Sequence, residues 1–515
     1  MTGIGMWNIA AERPQLTAIV EPGGRTLTYG ELAAEADRIG RGLHDAGLRA
    51  GDTVALLLPN GADILTAYYA AVQIGLHVVP LNWHLTAAEL GYILRDSGAR
   101  AFLSHARFTD LARDAAAEAA LPGAACFAAG GIPGFRSLDT LGTSGSGRPS
   151  PRTLGALMVY TSGTSGRPKG VRRPLPGLDP DQVAPVSLWF FGLFGLRPFD
   201  DHVHLCCSPL YHTAVMNFAV ISLQFGHTVV VMDHWDASEF LRLIERHRVT
   251  HSHMVPTQFR RLLALPSSFR SQVDVSSMRA MIHGAAPCPQ PVKREMLDWF
   301  GPVVIEYYAA SEGGGTLINA TEWLARPGSV GRAWPGSRVR VLDDDGKDLP
   351  PGEPGTVYLQ MGDATFEYHG DAEKTRASWR DRMFTVGDIG YLDEDGYLFL
   401  CDRASDVIIT GGVNVYPAEI ENELAVHPAV ADAAVFGIPH DEWGEEIKAV
   451  VEPAPGVTPG PALTTELLAF LGGRLARFKL PRTVDYVTAL PRDPNGKLYK
   501  RLLRAPYWSG RDRAI

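Results

Sequence analysis

"ALMVYTSGTSGRPKGVRRP", residues 156–174, passes from a short apolar run into a segment crowded with glycine and hydroxyl side chains, then to a lysine followed by Gly-Val. The residue types restrict what such a segment can do. Gly163, Gly166 and Gly170 allow sharp turns and close approach of backbone to a ligand. Successive backbone N–H groups in a loop of this kind form a concavity suited to an anion. Thr161, Ser162, Thr164 and Ser165 add hydroxyl donors, and Lys169 adds a positive charge. Together they describe a polyphosphate cradle entered from a strand. It is not a Walker A loop, because Gly170 is followed by Val171 and GxxxxGK[ST] cannot be fitted.

Upstream, residues 28–104 alternate helical and strand patterns. "LTYGELAAEADRIGRGLHDAG" has helical periodicity, "DTVALLL" reads as a buried strand, and "ADILTAYYAAVQIG" as a second helix; "HVVPL", "TAAELGYILRDSG" and "ARAFLSH" repeat the sequence. This is βαβ grammar and predicts a mostly parallel sheet covered by helices. It holds no GxGxxG, so a dinucleotide fold is not indicated. Residues 122–153 are rich in Gly, Ser and Pro and read as a surface connection. The alternation resumes at "HTVVVMD" and "EFLRLIERHRV". From about residue 330, short strands with Asp-Gly and Pro-Gly turns replace it. A last segment after "CDR" (401–403) is long enough for a small domain.

Composition narrows the class. The 515 residues suggest two or more domains, and 45% apolar with 20% charged residues is ordinary for a globular protein. A net charge of −9 gives no overall basic field for nucleic acid. Residues 470–515, however, carry eleven Lys or Arg against three Asp, which suits a polyanionic small molecule or a solvated face. No signal peptide is expected at the N-terminus. The longest apolar run, "VSLWFFGLFGL" (186–196), is too short to span a bilayer and is expected in a core or an apolar pocket. Five cysteines without CxxC spacing argue against a disulfide framework or a zinc site and fit the cytoplasm. "HVH" (202–204) and "HSH" (251–253) each put two imidazoles on one strand face, without the spacing of further ligands that a metal site needs.

The opening segment closely resembles the phosphate loop of the adenylate-forming superfamily, which includes acyl-CoA synthetases, peptide-synthetase adenylation domains and luciferases. Companion segments follow in the family's order: "SPLYHTA" (208–214), "HGAAP" (283–287), "EYYAASEGG" (306–314), "FTVGD" (384–388), "DRASDVIITGGVNVYPAEIE" (402–421) and "LPRDPNGKLYKRLL" (490–503). The resemblance covers nearly the whole chain. It implies an α/β fold: a large, multi-subdomain N-terminal region (1–402) with βαβ sheets and a β-rich segment, then a small mobile α+β domain (403–515).

It also implies a two-step reaction, in which a carboxylate attacks the α-phosphate of ATP and a thiol then displaces AMP. Both reactants of the first step are anions, so positioning and charge neutralisation must supply most of the catalysis. By resemblance, Glu312 holds Mg²⁺ and Ser311 keeps a hydroxyl for the α-phosphate where threonine is usual. Gly284, Ala285, Ala286 and Pro287 form the adenine turn, and Tyr308 packs on adenine. Asp388 binds the ribose hydroxyls, with Val386 standing where the family has threonine, and Arg403 lies near ribose and phosphate. His212 sits beside the acyl carboxylate. Lys497 reaches carboxylate and α-phosphate during adenylation. The hinge falls at Ser405, where Asp or Lys is usual, and Gly411 and Gly412 line the pantetheine channel after the small domain rotates.

The activity implied is AMP-forming acyl-CoA synthesis from ATP, coenzyme A and a hydrophobic acid, with a medium- or long-chain fatty acid favoured. A bulkier aromatic or steroid side-chain acid is the alternative, helped by the small residues Ala309, Ala310 and Gly313–Gly315. His253, Trp235 and the aromatic run at 188–194 are candidates for the acyl wall or for core packing. A carrier-protein-loading enzyme shares every nucleotide motif, and the lack of a following carrier domain weighs against it. A luciferase-like oxygenase would be separated by light or oxygen consumption. A degenerate nucleotide-binding regulator would need a damaged site, whereas Glu312, Asp388 and Lys497 are present. The expected partners are small molecules, with no nucleic acid and no transmembrane segment; a homodimer is left open.

Overall fold

The computed structural model describes residues 3–161, 168–410, 413–492 and 498–509. The chain forms two compact units. The first comprises residues 1–254, 265–282 and 363–377; the second comprises 255–264, 283–362 and 378–515.

Helix Tyr29–Asp45 begins where the sequence supplies a start signal: Thr28 accepts from the Glu31 backbone N–H while Glu31 reaches back to Thr28. Thr86 and Glu89 repeat that device at helix Ala87–Asp96. Between these helices run the strands of a six-stranded parallel sheet, in the order 136–137, 126–129, 99–105, 53–57, 77–80, 156–157. Its central strand, Thr53–Leu57, is buried throughout, as a parallel strand covered on both faces must be. Side chains alternate across it. Val54 and Leu56 join a core with helices Tyr29–Asp45 and Ala62–Val72, whereas Ala55 and Leu57 join one with helices Ala87–Asp96 and Thr109–Glu118. The expected βαβ grammar is therefore present element by element.

A second sheet of this unit sets His251–Met254, Val203–Cys206, Thr228–Val231 and Thr17–Val20 side by side, with Thr26–Thr28 antiparallel at the edge. The connection at 122–153 is more ordered than its composition suggests. Cys126–Ala129 is a largely buried strand paired with Ala99–His105, and Leu138 and Leu141 are buried in the core. Four apolar residues framed by glycine and proline are too short a run for periodicity to reveal.

The second unit is antiparallel where the turn-rich sequence predicts it. Val304–Ala310 and Gly313–Ile318 form a hairpin. Strands between Ser337 and Arg403 form a six-stranded sheet. After it, helices Pro417–Leu424 and Pro461–Gly472 pack on a five-stranded sheet built around Val430–His440 and Gly444–Pro453. Among the described residues no helix is long and apolar enough to cross a membrane.

Candidate active site

In the first unit, strands Val159–Thr161 and Lys169–Arg172 pair antiparallel, with Thr161 opposite Lys169. The two ends of the glycine-rich segment are thus held at one place. Its entrance is anchored by Tyr160, whose hydroxyl donates to Asp96 Oδ2 at 2.7 Å, and its exit by Tyr92, which donates to the Pro168 carbonyl at 3.3 Å. Lys169 Nζ lies 3.3 Å from Asp371 Oδ2, a partner that nothing in the local motif announces. Ser162, Gly163, Thr164, Ser165 and Gly166 lie outside the described residues, as does the side chain of Thr161.

His212 stands at the N-cap of helix Thr213–Gln224, its ring 4.4 Å from that of Tyr211. His253 is buried and stacks on Phe218 at 5.0 Å, and burial lowers its pKa to about 4. Phe218 also meets Phe190, Phe191 and Phe194, so much of the aromatic run packs internally. Trp235 packs against Phe240. His202, His204, His227 and His251 form a buried cluster with successive ring centroids 4.8–5.6 Å apart. Among the described residues no group of three or more His, Cys, Asp or Glu is arranged to hold a metal.

In the second unit, geometry explains the turn that the resemblance assigns to adenine. A Cβ on Gly284 would sit 2.8 Å from the Tyr307 carbonyl oxygen, so only glycine lets the turn approach that strand. Ala285 holds a left-handed φ of 67°, a conformation rare for a residue with a Cβ and often kept at ligand sites. Ala286 and Pro287 complete the turn. Below it, Lys293 Nζ meets Glu306 Oε2 at 2.5 Å, with the amine 4.8 Å from the Trp323 ring centre. This buried pair fixes the base of the strand that carries Tyr307 and Tyr308, and periodicity gave no sign of it. Burial raises the Glu306 pKa, and Lys293 opposes that rise.

Tyr308, Asp388 and Arg403 come together. The Tyr308 hydroxyl donates to Asp388 Oδ2 at 2.6 Å, and Arg403 Nε lies 3.1 Å from Oδ1. Asp388 and Arg403 are register partners in adjacent strands, which aligns the two charges before any ligand arrives. Burial, then the Asp388 charge, hold the Tyr308 pKa well above its usual value, so the phenol stays a donor. Glu312, beyond the end of the same strand, adds to that rise. Ser311 and Glu312 are the two residues linking the hairpin strands, and Glu312 is only 9% exposed. A carboxylate at a hairpin tip is a hard oxygen donor suited to Mg²⁺. Of the two carboxylates in its motif, Glu306 is paired with Lys293, and Glu312 fits an ion whose other oxygens come from ATP phosphates and water.

The segment after the β-rich sheet is closely tied. Asp402 Oδ2 accepts from the Ala418 N–H at 2.9 Å, Lys500 Nζ meets Glu421 at 2.9 Å, and Arg504 donates to the Ser405 carbonyl at 3.2 Å. Burial works against the Lys500 charge, but Glu421, Asp402 and Asp406 outweigh it and raise its pKa. Arg474, Lys479 and Arg492 are also paired with carboxylates, so much of the basic C-terminal composition is internal ion pairing. Gly411, Gly412 and Lys497 lie outside the described residues.

Known proteins resemble this chain over nearly its full length. Residues 6–367 match the AMP-binding enzyme family, and residues 419–497 match the AMP-binding enzyme C-terminal domain. The fatty acid–[acyl-carrier-protein] ligase ScoC of Streptomyces coeruleorubidus is 34% identical over 98% of this chain and 96% of its own. A feruloyl-CoA synthase of Amycolatopsis is 34% identical over 98% of each chain. The crystal structure of ATP-bound MatB from Rhodopseudomonas palustris superposes with a TM-score of 0.82 at 33% identity, covering 96% of each chain. The chain belongs to the AMP-binding enzyme family, whose members of this type are adenylate-forming ligases that use ATP, Mg²⁺ and a thiol acceptor such as coenzyme A.

Proposed function

We propose that this enzyme is an AMP-forming acyl-CoA synthetase acting on a hydrophobic carboxylic acid, with a medium- or long-chain fatty acid as the favoured substrate. The observation that carries the reading is the Tyr308–Asp388–Arg403 cluster, a preformed carboxylate flanked by a donor and a cation. Each Asp388 oxygen has lone-pair capacity beyond its one protein partner, enough for two ribose hydroxyls. Gly284 and Ala285 leave a shallow turn for adenine beside it.

The acid's carboxylate oxygen attacks the α-phosphorus of ATP; the bond to the β-phosphate oxygen breaks and pyrophosphate leaves. Glu312 would hold Mg²⁺, which neutralises phosphate charge when bound. By resemblance, Lys169 and Lys497 would supply cations to the phosphates and to the incoming carboxylate. In the second step a deprotonated thiol attacks the acyl carbon and AMP departs. Gly411 and Gly412 would line the thiol's approach.

The acyl group is read from two directions. The relative ScoC is named for a fatty acid, and another relative for feruloyl-CoA. The small residues that would make room for a bulky acid have another use here. A Cβ on Gly315 would lie 2.4 Å from the Tyr308 carbonyl and 2.6 Å from the Trp334 ring, and Gly314 holds a positive φ of 68°. The size of Gly314 and Gly315 serves the hairpin, so the case for a bulkier acid rests on Ala309, Ala310 and Gly313. Pyrophosphate release across a panel of fatty and aryl acids, with and without CoA, tests the reading. Acid-dependent release followed by thioester only with CoA is expected; release from fatty acids without any thioester on free CoA would overturn it.

A further inference from the structure

Asp432, at the start of strand Val430–His440, is shared by two arginines from distant parts of the chain. Arg492 grips it with both prongs, Nε to Oδ2 at 2.6 Å and Nη2 to Oδ1 at 2.9 Å. Arg260, on helix Pro256–Leu263, donates through Nη1 to Oδ1 at 3.0 Å and to the Ala431 carbonyl at 3.1 Å. Isolated surface ion pairs contribute little. This carboxylate, however, is only 13% exposed, and a bidentate guanidinium contact fixes direction as well as distance.

Each arginine is attached to something of consequence. Arg492 and Leu498 pair in an antiparallel bridge, and the Tyr499 N–H donates to the Pro491 carbonyl at 2.8 Å. The residues flanking the segment that includes Lys497 are therefore held together, with Arg492 at its near end. Arg260 follows Phe259, whose ring meets His283 edge-on at 5.1 Å. His283 directly precedes the adenine turn at Gly284. Two guanidiniums on one carboxylate thus join the root of the lysine segment to the helix behind the adenine turn.

We infer that Arg260, Asp432 and Arg492 form a latch that holds the domain carrying Lys497 in its adenylating placement, with Arg260 as a positioning residue for acyl-AMP formation. The inference rests on the adenylate-forming reading above. A rotation that withdraws Lys497 for the thioester step must break the Arg260–Asp432 contact, because the two ends lie on opposite sides of the proposed hinge at 405. The latch then stabilises one placement and leaves the other untouched.

The test uses the full chain in three forms: wild type, Arg260→Ala and Arg260→Lys. Acid-dependent pyrophosphate release should fall about 10–100-fold in Arg260→Ala, the scale of a small misplacement of a catalytic group. Acyl-CoA formation from supplied acyl-AMP should stay within about twofold of wild type, which also shows that the variant is folded. Arg260→Lys, which keeps the charge and loses the fork, should recover part of the first rate. Asp432→Asn, which weakens the hold on both arginines, should lower pyrophosphate release at least as far as Arg260→Ala. Equal loss in both half-reactions, selective loss of the second, or no loss at all would overturn the latch. A wild-type enzyme that adenylates no acid would instead count against the proposed function. Amide hydrogen exchange then decides the latch separately: Arg260→Ala should speed exchange in helix 256–263 and at 430–433 but not in strand 444–453, and unchanged exchange would sink it.

Discussion

The Tyr308 hydroxyl does something that its position in the motif does not reveal. By resemblance the ring belongs to adenine, yet the oxygen belongs to Asp388. Tyr308→Phe should keep the stacking face and lose a hydrogen bond to a charged group, a loss of about 1.5–3 kcal/mol. The KM for ATP should rise about tenfold or more with the enzyme folded; an unchanged KM would show that Arg403 alone orients Asp388. Glu312→Gln probes the neighbouring carboxylate. It keeps the shape of the hairpin tip and removes the anion, so pyrophosphate release should fall on the order of 10²–10³-fold. Near-normal release would remove Glu312 from its metal role. At this scale the sequence was legible where a residue type has one chemical use. Asp371 and Arg260 were not, since each acts through a partner far along the chain, nor was Lys293, whose partner Glu306 lies on a separate element.

Strands Val203–Cys206 and His251–Met254 show how an element converts a motif into a property. Alternation puts His204 opposite His251, and the rings fall into a buried cluster rather than a ligand set. Burial lowers the pKa of His204 to about 3, of His227 to about 3 and of His253 to about 4. The folded chain therefore binds fewer protons at these sites than the unfolded chain, whose imidazoles titrate near about 6.5. Their contribution to stability is fully present above about pH 6.5 and is lost as the pH falls toward 4 and 3. Thermal midpoints measured from pH 8 to pH 4.5 should decline below about pH 6.5, and His253→Phe should soften the decline; identical profiles would clear His253. Element identity was readable wherever caps or long periodic runs announced it, as at Thr28 and Thr86. The strand Cys126–Ala129 was not, because tertiary burial and not local pattern makes it a strand.

For the whole molecule, the proposed two-step reaction has the C-terminal domain serve each step from a different placement. Lys497→Ala should lower acyl-AMP synthesis by about two to three orders of magnitude and leave thioester formation from supplied acyl-AMP near the wild-type rate. Equal damage to both would mean that the lysine serves folding or both placements. The order of the family segments along the chain made the overall fold legible, while the pairing of the basic C-terminal residues inside the fold was hidden in their sum. One consequence reaches the chain's capacity to change length. Strand Thr53–Leu57 is a common wall, its odd and even residues committed to different cores. Removing one residue there would reverse the parity of every side chain beyond the cut, handing each core the other's residues. Removing two would keep the parity and shorten the wall. Divergence in this strand is thereby restricted to even steps, a counting rule imposed by having both faces buried.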